Sequence, residues 1–235
     1  MSGTLYLVGV GTGDPELLTL KAARVLGEIK VVAYGQKTNQ SSRALEIAQG
    51  FLHPKVKYLP IDIPMQTQRK PAQTAYDNLA KHIQAKLNIG QDIAYICEGD
   101  PLFYASAMYL IERMDKNTNI EIISGITSPL AASAAIKRPL CARNEMLKIL
   151  PATLNDAALI KELENAPSAA IMKVGRHFNR IKNILEKTAH ANGAMIVENA
   201  SCENQRIIKL NDYPKDELPY FAIILCYKGD ENWGK

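Results

Sequence analysis

The sequence predicts an α/β protein of two α/β domains, the first built on a mostly parallel sheet and the second on a mixed one. Short β-rich runs alternate with longer segments of helical period along nearly all of the 235 residues, the pattern of strands linked by crossover helices. Three of the early runs pass directly into a glycine-containing turn and then a helix. The last two runs, 205–210 and 221–227, follow one another with no helical segment between them, so the late pairings depart from the parallel scheme. A composition 47% hydrophobic and 22% charged can bury enough apolar surface to offset the entropy of ordering the backbone.

Residues 4–10 read as the first strand. A helix is expected at 15–29, with Leu18, Ala22, Val25 and Ile29 on one face at spacings of three and four. Asp14 is a natural cap for it, and Pro15 suits the first helical position, where no amide hydrogen is needed. A second strand follows at 30–34, a short helix at 42–49, a third strand at 56–61, and a long amphipathic helix at 71–87 that runs out near Gly90. Strand 92–97, helix 104–114, strand 120–124 and helix 128–136 complete the first domain, expected to span 1–136. From Lys137 to Glu145 the pattern is irregular and contains Pro139, which marks 137–146 as a linker. The second domain, 147–235, then holds strands at 147–152, 169–174, 194–198, 205–210 and 221–227, with helices at 156–165 and 178–191.

Charge and composition limit the partners. A net charge of +4 suits an anionic ligand but falls short of the dense basic patch of a nucleic-acid binder. Lys137, Arg138, Arg143, Lys148, Lys173, Arg176 and Arg180 gather near expected strand ends and loops, as a solvated surface or as one that suits an anionic partner. The amino end has neither the basic region nor the cleavage site of a signal peptide, and no apolar run approaches the roughly 18 residues that cross a bilayer, so a cytoplasmic protein with no membrane partner is expected. Cys97, Cys141, Cys202 and Cys226 are widely spaced in or beside apolar stretches and read as reduced, buried thiols. No two cysteines are close, and His53, His82, His177 and His190 form no helical pair, so no metal site is expected. Beside Arg176, His177 reads as a solvated or structural histidine more readily than as a substrate contact.

Three glycine turns carry the functional signal. The first, Gly9-Val10-Gly11-Thr12-Gly13-Asp14-Pro15, superficially matches a dinucleotide fingerprint, but its third glycine comes too early and no Asp or Glu lies between Glu28 and Glu46 to hold a ribose. Asp14 also occupies the positive helix end that a phosphate would need. Two readings stay open: a tight turn that needs glycine for its backbone alone, or a loop for a ligand that approaches the backbone closely and carries no phosphate. The second turn, Cys97-Glu98-Gly99-Asp100-Pro101-Leu102-Phe103-Tyr104, lies at a strand's carboxyl end, where open α/β sheets bind ligands. The third, Ser124-Gly125-Ile126-Thr127-Ser128-Pro129-Leu130-Ala131-Ala132, leads into a helix of small residues. Each could be an ordinary turn; together they favour a binding cleft.

These segments resemble the tetrapyrrole methylase family, whose members transfer methyl groups from S-adenosylmethionine to precorrins and uroporphyrinogen. Residues 7–22, from Leu7-Val8-Gly9-Val10-Gly11 to Lys21-Ala22, resemble the family's first signature, with Thr12 where many members carry proline, and Glu98-Gly99-Asp100-Pro101 resembles its second. Within the family, 98–106, Arg138-Pro139-Leu140-Cys141-Ala142-Arg143-Asn144-Glu145 and Met172-Lys173-Val174-Gly175-Arg176-His177 are most similar to the branch that methylates C-20 of precorrin-2 or its cobalt complex in cobalamin synthesis. Val197-Glu198-Asn199-Ala200-Ser201 resembles a late strand end that contacts the cofactor, although many members have Gly-Thr at the last two positions.

The resemblance implies two α/β domains with the active site in the cleft between them, and a homodimer. It places S-adenosylmethionine against Thr12, Glu98, Gly99, Asp100, Phe103, Thr127, Ser128, Val174 and Ala200, largely through backbone atoms, and the tetrapyrrole against Tyr104, Arg143, Lys173 and Arg176. The cofactor carries no phosphate, which removes the objection raised by Asp14. The acceptor carbon of a reduced tetrapyrrole is electron-rich, so alignment and exclusion of water matter more than a protein base, and no catalytic residue is assigned. Within the family the alternative is a methylase acting at another position of a precorrin or uroporphyrinogen; from other classes two remain, a nicotinamide oxidoreductase, which needs the missing ribose-binding acid, and a non-catalytic tetrapyrrole carrier, which would keep the basic cleft without binding the cofactor.

Overall fold

The computed structural model describes residues 2–36, 41–63 and 69–229, and its contacts divide the chain into two compact units, 1–127 and 128–235. In the first unit β1 (Thr4–Gly9), β2 (Val31–Gln36), β3 (Lys57–Asp62), β4 (Ile93–Cys97) and β5 (Asn119–Ile123) form one sheet in the order β3-β2-β4-β1-β5, with every pairing parallel. Strand alternation sends Leu5, Leu7, Ile93, Tyr95 and Cys97 to one face and Val8, Val32, Ala94 and Ile96 to the other. The first face is covered by α3 (Arg69–Asn88) and α4 (Met108–Ile111), the second by α1 (Leu20–Glu28) and α2 (Arg43–Ala48).

Two expected helices are cut back. The segment 15–29 is not continuous: Asp14 caps a single 3-10 turn, Pro15–Leu17, by accepting from Glu16 N at 2.9 Å, and the chain then extends through Leu18 and Thr19. Thr19 starts α1 afresh, its hydroxyl accepting from Ala22 N at 3.2 Å, because a threonine that caps competes with one that propagates the helix. The expected apolar face survives, with Ala22, Val25 and Ile29 buried and Leu18 packed against them. The segment 104–114 keeps only α4, since Tyr104 sits at φ 55°, outside the right-handed helical region.

The second unit carries α5 (Ser128–Ile136), β6 (Leu147–Pro151), α6 (Asp156–Glu164), β7 (Ser168–Met172), α7 (Phe178–Lys187), β8 (Met195–Glu198), β9 (Arg206–Lys209) and β10 (Ala222–Tyr227). Its sheet runs β6-β7-β10-β8-β9 and is mixed as expected: β6 and β7 are parallel, whereas β10 pairs antiparallel with both β7 and β8, and β9 antiparallel with β8. Phe178, Ile181, Ile184 and Leu185 of α7 are buried in its core, each contributing roughly 1.5–3 kcal/mol by leaving water. The helix stops at Lys187, short of the expected residue 191, because Ala189 turns left-handed at φ 60° and the buried His190 is held by Thr188 Oγ1 and Ala166 O, each at 3.0 Å.

The division at Thr127/Ser128 precedes the expected boundary, and α5 belongs to the second unit, where it packs on β8 and β10. Nor is 137–146 a loose linker. Arg138 donates to Gly193 O at 2.7 Å and Leu225 O at 3.2 Å, Ser168 Oγ donates to Leu140 O, and Tyr227 Oη donates to Glu145 Oε1 at 2.6 Å. Residues 230–235 of the expected second domain lie outside the described residues. None of the four cysteines forms a disulfide; Cys97 and Cys226 are buried, but Cys202 is half-buried and Cys141 exposed, because the loop that bears Cys141 is anchored by its neighbours rather than by packing of the thiol.

Candidate active site

Adjacent strands β4 and β1 send their following helices to opposite faces of the first sheet, α4 to one and α1 to the other. Such a reversal opens a crevice at the carboxyl ends of the two strands, where open α/β sheets hold their ligands. The first two glycine turns meet there. Gly99 N donates to Gly11 O at 2.7 Å and Gly11 N to Gly99 O at 3.3 Å, while Val10 N reaches Cys97 O at 3.0 Å.

The glycines have separate reasons. Gly11 and Gly99 are left-handed, at φ 77° and 68°, which lets the two turns pair back to back. Gly9 and Gly125 are required by close approach: a Cβ on Gly9 would lie 2.4 Å from Gly99 O, and one on Gly125 2.2 Å from the same oxygen. The turns after β1, β4 and β5 are therefore packed backbone against backbone, a cradle that side chains would fill.

Asp100 closes the cradle. Its Oδ1 accepts from Leu102 N at 2.9 Å and its Oδ2 from Gly125 N at 3.1 Å, so the carboxylate ties the β4 turn to the β5 turn. The side chain thus holds two of the turns together. Glu98 is exposed, Thr12 and Thr127 half-buried, and Phe103 and Tyr104 stack edge to face at a centroid distance of 5.1 Å, with Tyr104 exposed at its left-handed position. The structure places Thr12, Glu98, Gly99, Asp100, Phe103, Tyr104 and Thr127 on the three turns at one edge of the first sheet.

In the second unit β7 and β8 both run antiparallel to β10, so the turns after them leave from the same edge of that sheet. The first bears Lys173, Val174 and Arg176, with Lys173 at φ 57° and Gly175 at φ 30°; the second bears Ala200 between Asn199 at φ 49° and Ser201 at φ 63°. Non-glycine residues held left-handed cost about 1–3 kcal/mol each and concentrate at ligand-binding turns. Val174 and Ala200 are buried, Lys173 and Arg176 exposed. Ser128 is the first residue of α5.

Arg143 is not brought to that edge. Its segment is fastened to Ser168, the first residue of β7, and to Leu225 and Tyr227 at the end of β10, which is the opposite edge of the sheet. Other members of the basic stretch serve the fold: Lys148 pairs with Glu162 at 2.7 Å, and Arg180 with Asp156 at 2.6 Å, Leu154 O and Ala152 O. Burial, then Arg180 and Arg176, push His177 below the usual histidine value, so it is neutral near pH 7. Among the described residues no group of three or more His, Cys, Asp or Glu side chains could hold a metal ion, and no helix is long and apolar enough to cross a membrane.

The family of Tetrapyrrole (Corrin/Porphyrin) Methylases matches residues 4–212. The chain belongs to this family. A precorrin-2 C(20)-methyltransferase of Sinorhizobium is 35% identical to this tetrapyrrole methylase over 95% of the chain and 94% of the relative. The cobalamin biosynthesis protein CobIJ of Mycobacterium tuberculosis is 37% identical over 97% of the chain, which spans 46% of the length of that protein. The structure of a uroporphyrin-III C-methyl transferase from Thermus thermophilus, complexed with S-adenyl homocysteine, superposes with a TM-score of 0.70 at 22% identity, covering 96% of this methylase and 92% of that chain; at that identity the likeness is one of fold.

Glu198, quoted above only as part of the string 197–201, has a setting of its own. It is buried in the second unit, where it accepts from Tyr213 Oη at 2.7 Å and from Arg206 Nη1 at 3.2 Å. The signal was present, since an acid closes the otherwise apolar run Met195-Ile196-Val197 just before a turn.

Proposed function

We propose that this methylase transfers a methyl group from S-adenosylmethionine to C-20 of precorrin-2, or of its cobalt complex, in cobalamin biosynthesis. The observation that carries the reading is the glycine cradle at the reversal of the first sheet, beside a first helical turn whose amino end is already filled by Asp14. That arrangement admits close backbone contact, and the acidic side chain of Asp14 beside it disfavours a phosphate, which suits a nucleoside sulfonium better than a dinucleotide. Support for the acceptor comes from the full-length Sinorhizobium relative, named for precorrin-2, together with the branch-like strings at 98–106 and 172–177.

In this reading Thr12, Glu98, Gly99, Phe103, Thr127, Ser128, Val174 and Ala200 hold the cofactor, joined by the backbone of Asp100. Tyr104, Lys173 and Arg176 meet the tetrapyrrole, the two cations pairing with its carboxylates. Arg143, at the far sheet edge, drops out of that set. S-adenosylmethionine supplies a methyl group already activated on a sulfonium. What the protein's residues do is align that methyl with an electron-rich carbon and exclude water, and no side chain has to remove a proton first. The protein works in the cytoplasm as a homodimer.

The test is incubation with methyl-labelled cofactor and either precorrin-2 or cobalt-precorrin-2, followed by location of the label by NMR. Label at C-20 of one acceptor is expected. Label at another carbon would move the protein to a different branch of its family, and no transfer to either acceptor would overturn the reading. Sedimentation of the pure protein checks the dimer, for which a single monomeric species is the adverse result.

A further inference from the structure

Beside the turn at 199–201 the second unit holds a cluster that methyl transfer does not use. Glu198, the last residue of β8, is only 3% exposed although it bears a carboxyl group. Its two oxygens are divided between Tyr213 Oη and Arg206 Nη1. Burial, then the bond to Glu198, push the Tyr213 hydroxyl up to about 12, so it remains a donor at ordinary pH. The Tyr213 ring stacks edge to face on Phe178, the first residue of α7, at a centroid distance of 5.1 Å. A few residues on, Leu218 N donates to Gly175 O at 3.2 Å, which ties the same loop to the turn at 173–176. A hollow lined by Glu198, Asn199, Arg206, Tyr213, Lys215 and Leu218 lies alongside, so the phenol–carboxylate bond is a polar tie at the border of open space.

A buried carboxylate is kept at a cost in stability that an apolar residue of similar volume avoids. What it provides here is direction, because a short bond to a phenol fixes one loop against another. The geometry points to Glu198 as a positioning residue: through Tyr213 it holds the left-handed turn at 199–201 in register with the turn at 173–176, and so sets the two second-unit turns assigned to the cofactor. The inference rests on that assignment.

Calorimetric titration of the unaltered protein with S-adenosylhomocysteine tests the assignment separately. Tyr213→Phe, Glu198→Gln, Glu198→Leu and the double variant Glu198→Leu/Tyr213→Phe are then compared, with melting followed by circular dichroism. Thr188→Ala is the control, since it removes hydrogen bonds to Ile184 O and His190 at the opposite edge of the sheet. Tyr213→Phe should weaken S-adenosylhomocysteine about tenfold, the loss of one hydrogen bond to a charged group. Glu198→Gln should cost about threefold, because its amide oxygen still accepts from Tyr213. The double variant should bind S-adenosylhomocysteine no more weakly than Glu198→Leu alone, and the KM for the tetrapyrrole should rise alongside, because Lys173 and Arg176 stand on the turn at 173–176. Thr188→Ala should melt earlier yet bind normally.

Normal S-adenosylhomocysteine affinity in folded Tyr213→Phe and Glu198→Gln proteins overturns the inference. So does an equal loss of affinity in Thr188→Ala at a matched loss of melting temperature, which would make the cluster merely structural. If Glu198→Leu does not fold, Tyr213→Phe and Glu198→Gln decide the matter. Failure of the unaltered protein to bind removes the cofactor reading and this inference with it.

Discussion

Replacing Gly125 by alanine is the sharpest probe of the cradle. The added Cβ would lie 2.2 Å from Gly99 O, 2.7 Å from Gly9 C and 2.8 Å from Gly9 O. All three are backbone atoms, so no rotamer change relieves the contact, and one turn must move by roughly 1.2 Å to recover the ordinary contact of 3.4 Å. That movement strains the Gly11–Gly99 pair and pulls Gly125 N from the Asp100 carboxylate. Overpacking without relief costs about 3 kcal/mol, and the weakened bond to a charged acceptor about 1 kcal/mol more. With a urea slope of about 2 kcal/mol per M, the midpoint of the first unit should fall by about 2 M. Urea unfolding followed by far-UV circular dichroism measures this, and calorimetry with S-adenosylhomocysteine should show a parallel loss of affinity. Gly50→Ala is the control: its Cβ meets nothing within 4 Å, so the change should stay within about 0.5 kcal/mol. A Gly125→Ala protein with the midpoint and affinity of the unaltered chain would show that the three turns are not locked together as described.

Asp100→Asn should cost about 1–3 kcal/mol, since the amide turns a donor toward one of the two backbone amides that the carboxylate accepts; an unchanged urea midpoint would remove the clasp. Lys173→Gln and Arg176→Gln should each raise the KM for the tetrapyrrole by about threefold, less at high salt, and leave S-adenosylhomocysteine affinity intact; an equal loss of both affinities would argue against the division of roles. Burial lowers the pKa of His190 below that of the unfolded chain, outweighing its hydrogen bonds to Ala166 and Thr188. The unfolded chain therefore takes up the proton first, and the stability His190 contributes is full above about pH 6.5 and is lost progressively as pH falls from there through the lowered folded-state value. His190→Gln should unfold with a shallower dependence on pH between about 7 and 5, and an identical slope would place the acid sensitivity elsewhere.

The fold was legible because periodicity reports burial. Leu18, Ala22, Val25 and Ile29 face one core whether or not the helix through them is continuous, so the face was found and the break at Thr19 was not. Breaks depend on local competition between a side chain and the backbone, which a spacing rule does not see. The domain boundary was misplaced for a different reason: α5 is apolar on all sides, and nothing in Ser128–Ile136 says which sheet it covers. At the site, glycine spacing located the cradle, but not that Gly9 and Gly125 serve close approach while Gly11 and Gly99 serve a left-handed backbone. Arg143 illustrates the limit of reasoning from strings. Its segment looks like a substrate loop, yet Arg138 and Glu145 anchor it at the far edge through partners 55 and 82 residues away in sequence.

The position of β10 has a consequence for how the second unit is made. It is the last described strand and also the central one, with β7 on one side and β8 on the other. Until residues 222–227 leave the ribosome, the β6–β7 pair and the β8–β9 hairpin have no common partner, and each presents an unpaired edge to any other chain nearby. The sheet of the first unit needs no strand beyond Ile123, so it can assemble while the rest is still being translated. A nascent chain arrested before Ala222 should thus pair an ordered first unit with an aggregation-prone, protease-sensitive remainder, and release of β10 should be the step that closes the second sheet.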